Sequence, residues 1–260
     1  MICRMDTKNV VLFGETGVGK SSVVNLMAGE QRALTSSGME RCTMHWNKHA
    51  IRFGGRNYNV FDTIGLEEPE LGMEEYLKTI LNARNLVMEL ENKGGIDLLL
   101  FCVRAGRVTT TIQNNYRLFH EWLCEKKVPI VLVLTGLERE TVMEDWWTRN
   151  KSNFDKHRIV VDGHACITAA NDLDGRHRVL YEESRKLVHS LVKKHTYDRS
   201  EGGWKAGYGW LKRFVRSLKE LLLGDSMEKK DIVTVLTTRC GMPREAAQTL
   251  ATYVRDDSRQ

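Results

Sequence analysis

At 260 residues the chain holds one large domain, or one domain with a small appendage. No apolar run approaches the roughly 18 residues that a membrane span needs, and six scattered cysteines without a C-x-x-C pair exclude a zinc ribbon or a disulfide framework. The formal charge of +5 gathers between Arg176 and Glu220, where twelve Lys/Arg face five Asp/Glu and leave the remainder slightly acidic. Scattered cysteines, and a start without a long apolar core, set the expectation of a reduced, cytoplasmic protein. The basic segment fits either a solvated helix face or an acidic partner such as a lipid surface. No nucleic-acid partner is expected.

The first predicted element is a strand over 9–13. Directly after it, Gly14-Glu15-Thr16-Gly17-Val18-Gly19-Lys20-Ser21 fills every fixed position of G-x-x-x-x-G-K-[ST]. A helix over 20–29 comes next. In that strand–loop–helix context the main-chain N–H groups from Glu15 to Ser22 and a helix N-terminus wrap a phosphate. Lys20 adds a cation between the terminal phosphates, and the Ser21 hydroxyl is placed to ligate Mg²⁺. Strands over 42–53 and 58–61 flank a hairpin at Gly54-Gly55, which predicts one antiparallel edge pair. Asp62-Thr63-Ile64-Gly65 ends the second of them. There Asp62 can hold Mg²⁺ through water, and the Gly65 N–H can bond a γ-phosphate oxygen and sense its presence. Thr43, between the two motifs, is the candidate second protein oxygen on the metal.

Further along, strands over 96–103, 129–134 and 158–161 alternate with helices over 74–93, 109–127, 140–153 and 179–195. That alternation predicts an α/β domain with a largely parallel sheet. The strand over 129–134 runs into Thr135-Gly136-Leu137-Glu138. Guanine is commonly read by an Asn-Lys-x-Asp run at this place, whose carboxylate accepts two N–H bonds from the base edge. Glu138 supplies a carboxylate with one more methylene of reach, Thr135 stands where the asparagine does, and Gly136 removes the lysine stem that covers the base. After the next strand, near Thr168 and Ala169, a backbone N–H is placed to bond the guanine O6. Adenine presents a mismatched amino group there, so GTP is favoured over ATP. His164 and Cys166 lie two apart but have no companions at metal spacing, so no zinc site is expected. Trp122, Trp146 and Trp147 are expected to pack helices on the sheet.

A break at 200–203 separates a predicted domain over 1–198 from a helical extension over 204–260. Leu211, Phe214, Val215, Leu218, Leu221 and Leu222 repeat at helical spacing, opposite Lys212, Arg213, Arg216 and Lys219, with Trp204, Tyr208 and Trp210 just upstream. Residues 204–223 therefore pack on the domain, meet a helical partner, or lie on a membrane surface. A last helical piece is predicted over 229–253, with Pro243 at a helix start.

The order GETGVGKS, Cys42-Thr43, DTIG, TGLE and the threonine–alanine run resembles the translation-factor-related GTPases. The box Leu98-Leu99-Leu100-Phe101-Cys102-Val103-Arg104-Ala105-Gly106-Arg107-Val108-Thr109 is similar to one carried by their septin-like, paraseptin branch. That branch holds the immunity-associated GTPases of vertebrates and plants and the chloroplast outer-envelope import GTPases. The phrases FDTIGLEEPE and VLVLTGLERE resemble fungal G domain-containing proteins of that type. The resemblance spans residues 8–195. It implies a P-loop NTPase fold: three layers, a mostly parallel sheet with one antiparallel edge strand, and helices on both faces, here with a C-terminal helical extension. It also implies GTP hydrolysis to GDP and phosphate, and a homodimer formed across the nucleotide face. In such a dimer Arg104 and Arg107 are the candidates to reach a neighbour's phosphates. Leu66 follows the D-x-x-G glycine, where a water-orienting glutamine stands in Ras-type GTPases, so the monomer is expected to hydrolyse slowly. The alternatives are a non-hydrolysing GTP-bound scaffold that docks on membrane or protein, and an ATP-using P-loop enzyme.

Overall fold

The computed structural model describes residues 7–33, 46–63, 73–170, 177–196, 202–207, 210, 213, 233, 234, 244 and 248, with side chains in the second helix from residue 82 onward. Six strands form one sheet: β1 (Lys8–Phe13), β2 (Asn47–Phe53), β3 (Arg56–Asp62), β4 (Leu98–Arg104), β5 (Ile130–Thr135) and β6 (Gly163–Cys166). Among the described residues five α-helices connect or follow them: α1 (Lys20–Ala28), α2 (Met73–Glu91), α3 (Thr110–Tyr116), α4 (Met143–Lys156) and α5 (Arg178–Thr196). The strand order is β2-β3-β1-β4-β5-β6, and every pairing is parallel except that of β2 with β3.

Burial explains why each segment is a strand. Every residue of β1 and of β5 is buried, as in strands covered on both faces. β2 alternates exposed and buried positions toward its end, as an edge strand with one wet face does. It turns into β3 at Gly54-Gly55, with Phe53 opposite Arg56. Side chains alternate across the sheet. Val11, Phe13, Leu99, Phe101 and Leu132 face α2, α3 and α4. Val10, Leu12, Leu100, Val131 and Val133 face α1 and α5. This is the three-layer P-loop NTPase arrangement. The strand order reverses at β1, so the carboxyl ends of β1, β3 and β4 open a crevice at the switch point.

The sixth strand differs from its sequence expectation. It lies at Gly163–Cys166, not over 158–161. The cause is Tyr116: its hydroxyl donates to the Val160 carbonyl at 3.0 Å and accepts from the Val160 N–H at 3.2 Å. Both backbone groups of Val160 are thereby spent, and its side chain is 68% exposed. Pairing resumes where Asp162 N–H meets the Ile130 carbonyl at 2.8 Å. The helix expected over 109–127 also differs. It is α-helical only to Tyr116 and continues as a π-helical stretch, Arg117–Leu123. That stretch brings Phe119 onto Phe13, ring centroids 4.3 Å apart, and leaves the carbonyl of Leu123 facing outward from the helix end.

The start of the C-terminal segment answers that carbonyl. Trp210 is 3% exposed and its indole N–H donates to the Leu123 carbonyl at 2.7 Å. Ile96 and Trp204 exchange two backbone bonds, each 2.8 Å, and Arg213 pairs with Glu125. Trp210 and Ala206 are buried on the domain, so neither meets a membrane. Of the stretch 214–223, nothing lies within the described residues. Among the described residues no helix is long and apolar enough to cross a membrane. Trp210→Ala is expected to cost about 3 kcal/mol in urea unfolding. Trp210→Phe, which keeps an aromatic ring but loses the indole donor and part of the buried volume, is expected to cost less, about 1–2 kcal/mol. A Trp210→Ala protein as stable as the parent would show that this segment is no part of the core.

Candidate functional site

The loop after β1 is closed on itself and bedded on three other elements. Lys20 opens α1, is 8% exposed, and its ammonium arches back to donate to the carbonyls of Gly14 (3.1 Å) and Glu15 (2.8 Å). A Cβ on Gly14 would be driven into the carbonyl oxygen of Cys102, so the loop rests directly on β4. The buried Val18 carbonyl accepts from the Thr135 hydroxyl at 2.6 Å, which ties the loop to the end of β5. Thr109 caps α3 by accepting from the Ile112 N–H at 3.1 Å, and its hydroxyl donates to Glu15 at 2.5 Å. Thr16 and Gly17 are exposed at the loop tip, while Gly19 and Ser22 are half-buried at the helix start. A helix N-terminus framed by main-chain turns is an anion site by construction.

Beneath the loop sits a carboxylate. Asp62 ends β3, is 6% exposed, and its Oδ2 accepts from the Ser21 hydroxyl at 3.0 Å. Thr63 holds that strand end by donating both its N–H (3.0 Å) and its hydroxyl (2.9 Å) to the Leu12 carbonyl. Burial pushes the Lys20 ammonium below the usual lysine range, against the pull of Asp62. Burial likewise pushes the Asp62 carboxyl above the usual carboxylate range, against Lys20 and the Ser21 bond. The other carboxylate oxygen, Oδ1, is buried without a hydrogen-bond partner. A buried polar atom left so is costly. A hydroxyl beside a carboxylate with a spare oxygen is a hard-oxygen donor set, which fits Mg²⁺. Thr43 and Gly65 lie outside the described residues.

A second cluster gathers where β5 and β6 end. Thr168 donates its hydroxyl to Glu138 at 3.4 Å and its N–H to Ser184 of α5 at 3.1 Å. The Ala170 N–H turns back to the Thr168 hydroxyl at 3.3 Å. Ala169 N–H has no protein acceptor among the described residues. The Leu137 N–H meets the Ile167 carbonyl at 3.4 Å, so Thr135, Gly136, Glu138, Thr168 and Ala169 lie on two joined strand ends, tied to the phosphate loop through Thr135. Arg104, the last residue of β4, lies against Gly136, whereas Arg107 is exposed two residues before the Thr109 cap. His164 is spent elsewhere: it pairs with Glu144 at 2.5 Å and stacks on Trp147 at 4.5 Å. Among the described residues no His/Cys/Asp/Glu cluster could hold a metal by itself.

Sequence reasoning missed three supports: the Cys102 carbonyl, the Thr109–Glu15 link and the Ser184 anchor. Only Thr109 left a signal, as a threonine at a helix start.

Residues 9–136 match the family described as 50S ribosome-binding GTPase. GTPase Der of Campylobacter curvus is 29% identical over 143 residues, which is 54% of this chain and 28% of that protein. Immune-associated nucleotide-binding protein 7 of Arabidopsis thaliana is 25% identical over 217 residues, 69% of this chain and 68% of that protein. The chain thus spans little more than a quarter of the bacterial relative's length. In fold it is similar to Toc33 of Arabidopsis thaliana, with a TM-score of 0.52 at 19% identity over 77% of this chain and 88% of that one. Over these residues the chain is therefore related to the P-loop G domains of known GTPases.

Gly14→Ala should destabilise the nucleotide-free protein by about 2–3 kcal/mol, as overpacking does, and weaken GDP binding more than tenfold in titration. Unchanged stability and affinity would show that the loop does not bed on β4.

Proposed function

We propose that this chain is a Mg²⁺-dependent GTP switch with slow intrinsic hydrolysis to GDP and phosphate, regulated by homodimerisation across the nucleotide face. The observation that carries this reading is the Lys20–Ser21–Asp62 group under the glycine loop, together with the Glu138–Thr168 contact beyond the end of β5. The backbone from Glu15 to Ser22 and the Lys20 ammonium hold the phosphates. Ser21 and Thr43 supply protein oxygens to Mg²⁺, and Asp62 holds its water. When bound, the metal neutralises charge on the terminal phosphates. Gly65 reports the γ-phosphate through its N–H. Glu138, oriented by Thr168, accepts from the guanine edge, and the Ala169 N–H meets O6. Thr135 couples this edge to the phosphate loop through Val18.

Supporting the regulatory half, Toc33 has been seen with Mg²⁺ and GMPPNP, and dimerization is important for the GTPase activity of atToc33 and psToc159. Arg107 is exposed beside the loop's Thr109 support and is suited to cross to a neighbour. Leu66, which cannot orient a water, accounts for slow turnover by one copy alone. The box from Leu98 to Thr109 favours the septin-like branch, with fungal phrases elsewhere, while the scattered cysteines favour a cytoplasmic site of action and the basic segment a membrane-peripheral one. Residues 1–198 form the G domain, and 204–260 an extension fastened to it at Trp204 and Trp210.

Phosphate release per molecule, measured across protein concentration, tests this. Turnover should rise with concentration in the parent and stay flat in Arg107→Ala at unchanged GDP affinity. Nucleotide retained without turnover at any concentration would leave a GTP-bound scaffold instead.

A further inference from the structure

We propose that Arg104 covers the purine ring of the bound nucleotide in its own chain, taking the place of the side chain that Gly136 lacks. The inference rests on the guanine reading above. A base held only along its edge leaves a flat face open to water. Something planar must lie on it if the base is to be well buried. In this chain the loop residue placed to do so is a glycine, at φ +80°, a conformation that L side chains rarely adopt.

Arg104 fills the gap from the neighbouring strand. β4 and β5 stay in parallel register to their last residues, with Arg104 opposite Thr135. The Ala105 N–H donates to the Thr135 carbonyl at 2.9 Å and fixes the two strand ends together. A Cβ built on Gly136 would stand 3.5 Å from both Cγ and Nε of Arg104 and 3.9 Å from Cζ. The arginine stem and guanidinium thus lie along the space a side chain at 136 would use. Among the described residues no carboxylate pairs with Arg104, so its charge is available to a ligand. A planar, weakly hydrated guanidinium stacks well on an aromatic face. Stacking of this kind does not depend on the exocyclic groups of the base. Arg104 therefore adds affinity for the purine while Glu138 sets the choice of guanine. The two arginines of the box divide their work: Arg104 serves its own chain's base, and only Arg107 is left to reach a partner.

The test is equilibrium competition on the full chain, with Mg²⁺ present, using GDP, inosine diphosphate and inorganic tripolyphosphate as probes. Arg104→Ala should weaken GDP and inosine diphosphate equally, by about 5- to 30-fold. Tripolyphosphate, which has no base, should bind as to the parent. Glu138→Ala should instead erase the preference for GDP over inosine diphosphate, which lacks the 2-amino group. An Arg104→Ala protein that loses tripolyphosphate as strongly as GDP would place the arginine on phosphates and overturn the proposal. Unchanged GDP affinity with lowered concentration-dependent turnover would overturn it too, by assigning Arg104 to the partner. If Glu138→Ala leaves the preference intact, the guanine reading itself fails and this proposal falls with it.

Discussion

Lys20 at the start of α1 and Asp62 at the end of β3 are two opposite charges, each nearly out of water, and neither satisfied by the other. Burial disfavours the charged form of both, and their mutual attraction does not make up the loss. The ammonium has only two main-chain carbonyls, and the carboxylate has one hydroxyl and a spare oxygen. Such a pair lacks an anion on one side and a cation on the other. A magnesium–triphosphate unit supplies both at once. In the proposed function, these unsatisfied charges are the source of affinity for that unit.

Keeping two such charges in place requires a stiff surround. The phosphate loop has no freedom to relax around Lys20 because β4 supports it under Gly14 and Thr135 holds it at Val18. Thr109 adds a third tether at Glu15. That threonine begins the helical unit whose far end, at Leu123, is met by the Trp210 indole. The C-terminal segment and the nucleotide loop therefore contact opposite ends of one rigid element. The same two strand ends that carry the loop, β4 and β5, carry Arg104 and Gly136. Phosphate and base regions are in this way parts of one packed unit.

Much of this was legible in the sequence because a few positions have few physical alternatives. A glycine loop between a buried strand and a helix permits little else, and a continuous apolar run such as Ile130 to Leu134 reads directly as a central strand. The sixth strand was misread because Ile159, Val160 and Val161 have the composition of a strand. The backbone of Val160 is claimed instead by a tyrosine 44 residues earlier in the chain, a contact no local pattern announces. The π-helical continuation of α3 was equally hidden, since the spacing of Leu118, Phe119 and Leu123 suits an ordinary helix. Trp210 could be placed at an apolar face but not against a partner, because packing and membrane contact ask for the same residues. At the site, Ser21 meets Asp62 and Thr168 meets Glu138, contacts between residues of separate motifs. From the sequence Arg104 was legible as a cation in a box, a candidate to reach a neighbour's phosphates. Its neighbour Gly136 becomes visible once β4 and β5 are set in register.

The most direct test of the whole account is calorimetric titration of the nucleotide-stripped protein with GTP, with and without Mg²⁺. The account predicts saturable one-to-one binding that the metal strengthens at least tenfold and that Asp62→Ala renders insensitive to the metal. A protein with no measurable affinity for GTP in the presence of Mg²⁺ would contradict it.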